Sequence, residues 1–222
     1  MTYSRLFLAA ALATTAASAQ TIITEAKRNF TINAAIADTQ NPPVSFLQTI
    51  SDSAIVSLTQ VEVGLKLAGT TPGSGFASEM FVSLNRNLST TSVLLNQVGI
   101  NGNGPVGQGY DGWNVTFKDN AEDGDVHVAT QGSGTLVDDW APDGRSAATD
   151  AARPLLLALF SGGAANADWR LNVADLAPGG IMTLESWSLT FTGLTAVPEP
   201  PAYAALAGLG LVAFGAWRRL RK

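Results

Sequence analysis

The sequence predicts an all-β fold, a sandwich or a barrel, on three observations. Apolar residues alternate with polar ones at period two in seven separate places, which sets one face of a strand against a core. Stretches rich in Gly, Asn, Asp and Pro separate those places, and such residues close turns because they tolerate or preset the unusual φ values turns need. Between the two ends of the chain no segment keeps a 3.6-residue apolar period. Many short strands with turns between them form sandwiches or barrels.

Taken in order, the strand patterns run through Phe30 and Ile32, through Val61, Val63, Leu65 and Leu67, and through Met80, Val82 and Leu84. They continue through Trp113, Val115 and Phe117, through Val126 and Val128, through Trp169, Leu171 and Val173, and through Trp187, Leu189 and Phe191. The run Val61 to Leu67 is the clearest, because Glu62, Gly64, Lys66 and Ala68 fill the alternate places. The turn stretches are Thr70 to Gly75, Gly99 to Gly112, Gly132 to Gly134 and Pro178 to Gly180. Pro154 to Phe160 fits either a buried strand or a helical turn. Trp113, Trp169 and Trp187 stand in strand patterns and are expected in the core, where large aromatics dominate burial.

Both ends differ from this middle. Residues 1–19 hold Arg5, the apolar run Leu6 to Ala13 and then Ala17-Ser18-Ala19, the order of a secretory signal peptide cleaved before Gln20. At the other end, Val197-Pro198-Glu199-Pro200 precedes an apolar stretch, Pro201 to Trp217, and a basic tail, 218–222, with Arg218, Arg219, Arg221 and Lys222. Prolines hold an extended, accessible peptide, the apolar stretch suits a short transmembrane helix, and the basic cluster resists translocation. The stretch has 17 residues, the lower limit for a span, and is rich in Gly and Ala, so it suits a transient stop better than a lasting anchor. The expected organisation is therefore a signal peptide (1–19), one β-sandwich domain (20–195) and a sorting segment (196–222).

Residues 196–222 resemble the sorting signal of PEP-CTERM proteins. The resemblance implies recognition at Val197, Pro198, Glu199 and Pro200 by an exosortase-type protease of a Gram-negative bacterium, after signal peptidase has acted. Transient attachment to the inner membrane, then delivery to the cell surface or extracellular matrix, would follow.

Composition narrows the partners. The chain of 222 residues contains no cysteine, so no disulfide supports the domain in an oxidising compartment. Five of the thirteen Lys and Arg and one of the eighteen acids, Glu199, lie in the terminal segments, leaving eight against seventeen, a net charge near -9. A folded domain so acidic repels nucleic acid and anionic lipid.

The middle of the chain carries a second resemblance. Asp168-Trp169-Arg170-Leu171-Asn172-Val173-Ala174-Asp175, then Pro178-Gly179-Gly180, then Leu184-Glu185-Ser186-Trp187-Ser188-Leu189-Thr190-Phe191 is similar to the closing W-x-L-x-V-x-D, turn, W-x-L-x-F element of the P domain of proprotein convertases. Thr59 to Leu67, Glu79 to Leu84 and Trp113 to Ala121 resemble earlier strands of that family. The resemblance implies a jelly-roll-like β-sandwich in which the last two motifs form a hairpin. It implies a non-catalytic surface module, since no subtilisin-like catalytic domain accompanies it. The turn Pro178-Gly179-Gly180 departs from the family by lacking an acid beside its glycine.

Few residues offer chemistry. His127 is the only histidine, is expected exposed on a strand, and has no nucleophile motif beside it. One histidine and no cysteine make a poor zinc set. Asp119, Glu122, Asp123 and Asp125 sit in one acidic loop, where carboxylates either stay solvated or gather a hard cation such as Ca²⁺. An EF-hand is excluded, because Ala121 and Thr130 replace required ligands. Asp138, Asp139 and Asp143 make a second acidic loop, expected exposed, and Trp140 within it is the one candidate for stacking on a ligand. The function this supports is non-catalytic, in adhesion or in organising exopolysaccharide and biofilm matrix, with exopolysaccharide or a surface protein as partner. The alternative is a carboxylate-based hydrolase of matrix polysaccharide, whose two acids would face each other across a cleft.

Overall fold

The alternating segments become two facing sheets. The computed structural model describes residues 20–69, 79–99, 110–129, 134–196 and 201–220. Among them ten strands occur: β1 (Ile22–Thr24), β2 (Arg28–Ile36), β3 (Val44–Ile50), β4 (Ile55–Gly69), β5 (Met80–Arg86), β6 (Thr90–Asn96), β7 (Gly112–Phe117), β8 (Thr135–Trp140), β9 (Ala167–Asp175) and β10 (Met182–Thr195). The larger sheet runs β1-β10-β4-β7-β8 with β2 also paired to β10, and the smaller runs β3-β9-β5-β6. The protein is thus an all-β sandwich, as the periodicity predicts.

Strand β4 shows why. Its Val61, Val63, Leu65 and Leu67 are buried, and they stand beside Phe191, Leu189, Trp187 and Leu184 of β10 on one side. On the other side Val63, Leu65 and Leu67 stand beside Phe117, Val115 and Trp113 of β7. Registered apolar pairs of this kind are the unit of sheet stability. In the smaller sheet Val82 and Leu84 of β5 pair with Val173 and Leu171 of β9. Trp169 joins the two layers, its ring 5.1 Å from Phe191 of the larger sheet and 5.1 Å from Phe160. The three tryptophans expected inside, Trp113, Trp169 and Trp187, are buried.

Two expectations are corrected. The W-x-L-x-V-x-D and W-x-L-x-F motifs, β9 and β10, do not form a hairpin: β9 pairs with β3 and β5, whereas β10 pairs with β1, β2 and β4. Both motifs bury their alternate residues, and facing each other across the sandwich gives each motif its own sheet to extend. Val126 and Val128 do not belong to a strand. Residues 126–128 make a single 3-10 turn within the crossover from β7 to β8, with Val126 buried and Val128 exposed. β7 and β8 pair in parallel, which demands a long connection rather than a tight turn. The segment from Pro154 resolves into a 3-10 turn at Leu157–Phe160.

Strict alternation breaks where a loop covers a sheet. Ser92 to Asn96 of β6 are all buried, because Val93 N–H donates to Leu155 O, and Gly144 N–H to Val93 O, on a segment that returns over this edge.

Thr21–Ala196 forms one compact unit. Helix α1 (Pro201–Leu220) lies outside it. Pro201 opens the helix, where its missing N–H costs nothing, and Arg218 and Arg219 occupy the last turn, where cations favour the helix dipole. Its 20 residues measure about 30 Å. Among the described residues no helix is long and apolar enough to cross a membrane. The proposed signal peptide (1–19), the motif Val197 to Pro200, Arg221 and Lys222 lie outside the described residues, as do most of the turns Thr70 to Gly75 and Gly99 to Gly112.

Candidate functional site

The acidic loop after β7 does not assemble as one ligand set. Asp119 turns to the 3-10 turn at 157–160, where its carboxylate accepts from the backbone N–H of Leu157 (2.9 Å) and Ala158 (2.6 Å). Asp125 accepts from His127 N–H at 3.0 Å and from Arg145 Nη2 at 2.7 Å, with Arg153 Nε 3.4 Å away. These two acids are satisfied by backbone amides and guanidinium groups. Glu122 and Asp123 instead line an open depression with Lys118, Asp138 and Asp139. Among the described residues no three acidic or histidine side chains close on a metal-sized point. The Ca²⁺ expectation for Asp119, Glu122, Asp123 and Asp125 as a group is therefore corrected.

His127 and Asp143 are not exposed. His127 is 7% exposed and Asp143 fully buried, with Nδ1 and Oδ2 2.6 Å apart. Arg145 reaches the same carboxylate, Nη1 to Oδ1 at 3.3 Å, and also Asp125. Burial pulls the Arg145 guanidinium down, but Asp125 and Asp143 outweigh it and leave its pKa raised. Arg153 Nε donates to Asp143 O at 2.9 Å, and its guanidinium also bonds Pro142 O. A carboxylate behind a histidine Nδ1 is the orienting half of a catalytic triad. Here the carboxylate also neutralises Arg145, and the whole set ties the β7–β8 crossover to the loop following β8.

Trp140 closes β8 rather than standing in a loop. It pairs with Phe117, its indole N–H donates to Val137 O at 2.8 Å, and its ring packs partly against the core. Trp140 as a whole is half-buried, and the depression next to it in sequence is lined by Asp138 and Asp139 rather than by its ring.

Two carboxyl groups escaped the sequence argument. Glu79 stands one residue before β5, and Asp175 is the last residue of β9 and fully buried. Burial, then the charges of Asp175 and Asp38, push the Glu79 carboxyl up to about 7. Burial likewise raises Asp175 to about 6, against a bond from Ala177 N–H, and Asp38 adds to the rise. Oε2 of Glu79 and Oδ2 of Asp175 are buried with no hydrogen-bond partner. The sequence did carry a signal. Trp169, Leu171, Val173 and Asp175 share one phase of the alternation, so an acid falls where the pattern calls for an apolar residue.

Residues 196–222 match the family described as the PEP-CTERM protein-sorting motif. The motif supports an exported protein sorted by an exosortase, with transient membrane association. No curated protein matches the chain. Among solved structures it is similar to the serine protease of Aeromonas sobria in complex with the chaperone ORF2, at 17% identity and a TM-score of 0.44, covering 79% of this chain and 27% of that one. The serine protease of Aeromonas sobria in a second crystal structure gives 16% identity and a TM-score of 0.43, covering 78% of this chain and 27% of that one. This chain thus spans about a quarter of the length of those proteins, and the likeness is too loose to bear on activity.

Proposed function

We propose that the chain is an exported, non-catalytic β-sandwich that an exosortase-type protease recognises at Val197-Pro198-Glu199-Pro200 and that then serves at the cell surface or in the extracellular matrix. The single observation that carries this is the sorting motif matched over 196–222, which begins directly after β10 ends at Thr195. By sequence, Pro198 and Pro200 disfavour helix and favour an extended peptide at the recognised motif. Arg218 and Arg219, at the end of α1, and Arg221 and Lys222 beyond it supply the basic stop. A signal peptide at 1–19 would deliver the chain to the export machinery.

Adhesion or the organisation of exopolysaccharide suits the rest of the domain. The hollow lined by Leu58, Gln60, Asp119 and Leu157 holds about 170 Å³, below the roughly 300 Å³ at which ligand pockets begin, and the larger space, about 480 Å³ over Lys118, Glu122, Asp123, Asp138 and Asp139, is an open depression. The depression of Glu122, Asp123, Asp138 and Asp139 is open and acidic, and suits neutral or cationic polymer surfaces.

Mass spectrometry of the surface form from a native host tests the processing. A C-terminus near Val197 to Pro200 is expected, lost when the exosortase is deleted, and an intact Lys222 on the mature form overturns it. Glycan-array binding by the processed protein is expected without release of new reducing ends; catalytic release would favour the hydrolase.

A further inference from the structure

Three segments meet at one end of the smaller sheet. Asp175 pairs with Met80 across β9 and β5, Leu176 N–H donates to Glu79 O at 2.8 Å, and Gln40 N–H donates to Asp175 O at 2.7 Å. The backbone here is fixed on both sides of the two carboxyl groups. The turn after β9 comes close to Glu79: a Cβ on Gly179 would sit 2.9 Å from Oε1, at the far end of a side chain that can shift.

The charges acting on this pair are all of one sign. Asp175 and Asp38 act on Glu79, and Asp38 acts on Asp175. Each carboxyl group keeps one oxygen out of water without a donor, and Asp175 is fully buried. Buried carboxylates are ordinarily paired or bound to a metal, because an uncompensated one is costly. Two carboxylate oxygens, one from the last residue of β9 and one from the residue before β5, offer the oxygen chemistry a hard cation takes. Histidine and thiolate are absent from the pair, so a softer metal gains nothing here.

We propose that Glu79 and Asp175 anchor a divalent-cation site of the Ca²⁺ class at the β5–β9 end of the smaller sheet. Backbone carbonyls and water complete the shell, since Asp38, Glu79 and Asp175 do not close on a single point as three side-chain ligands. The site lies apart from Asp119, Glu122, Asp123 and Asp125, where the sequence directs attention first. It explains why an acid is kept at an inward position of β9, and it stands independently of how the tail is processed.

Calorimetric titration of the chelator-stripped full chain with CaCl₂ tests it. Wild type is expected to bind one equivalent, with a dissociation constant of about 10⁻⁴ to 10⁻³ M as in extracellular modules. Glu79→Gln is expected to weaken that binding at least tenfold, and Asp175→Asn to abolish it, whereas Asp123→Asn leaves it unchanged. Each variant is first checked for folding by circular dichroism, and if Asp175→Asn does not fold, Glu79→Gln alone decides. Equal affinity in Glu79→Gln, no binding up to 10 mM in wild type, or loss of binding in Asp123→Asn would overturn the site.

Discussion

Trp169 of β9 lies with its ring 5.1 Å from that of Phe191 of β10, so the two strands touch across the sandwich although they share no hydrogen bond. Adjacent in sequence and similar in motif, they belong to opposite layers. Trp169→Ala should therefore remove the main bridge between the sheets and destabilise the domain by about 3–5 kcal/mol. Trp140→Ala, at a partly buried strand end, should cost clearly less. Urea denaturation followed by circular dichroism separates the two, and equal losses would contradict the bridge.

Asp143 compensates two partners at once, His127 and Arg145. Asp143→Ala should leave the Arg145 guanidinium with Asp125 as its remaining acid and cost roughly 1.5–3 kcal/mol, the range for a lost hydrogen bond to a charged group. His127→Ala should cost less, because Asp143 keeps Arg145. Equilibrium unfolding of the two variants gives the order directly.

Asp119 caps the turn at 157–160 through the amides of Leu157 and Ala158. Asp119→Ala should cost about 0.5–2 kcal/mol, the range for lost caps, and Asp119→Asn, which keeps an acceptor oxygen, should recover part of it. The melting temperatures of the two variants provide the comparison.

Glu79 and Asp175 make stability depend on pH with an unusual sign. Their folded pKa values, about 7 and about 6, lie above the ordinary 4.5 and 3.8, so between those limits the folded state holds more protons than the unfolded one. Stability from this pair is present below about pH 4 and is lost as pH rises toward 7. In chelator, the loss between pH 4.5 and 7.5 should be smaller in Glu79→Gln than in wild type. Saturating Ca²⁺ should shrink it in wild type, since a bound cation holds both groups ionised.

Much of the fold was legible because period two reports which residues face inward. Val61 to Leu67, Trp113 to Phe117 and Trp187 to Phe191 all bury as the alternation requires. Alternation does not report which strand lies beside which. Trp169 and Trp187 therefore looked like one hairpin, while backbone pairing assigns them to different sheets. His127 was misplaced for a related reason: Val126-His127-Val128 has the composition of a strand, but its neighbours are Asp143 and Ala141, supplied by contacts that local pattern does not encode. The acids of 119–125 looked like a cluster because they are close in sequence. Glu79 and Asp175, 96 positions apart, are brought together only by the pairing of β5 with β9.

Strand β10 pairs with β1, β2 and β4, and Ile22 finds its partner only at Leu194. The hub of the larger sheet is thus among its last residues to be synthesised. Three earlier strands keep the edges that face β10 unpaired until nearly the whole domain has left the ribosome. Contacts so distant in sequence form slowly. A sheet whose hub strand directly precedes the sorting segment stays open along that edge until the chain is almost fully made.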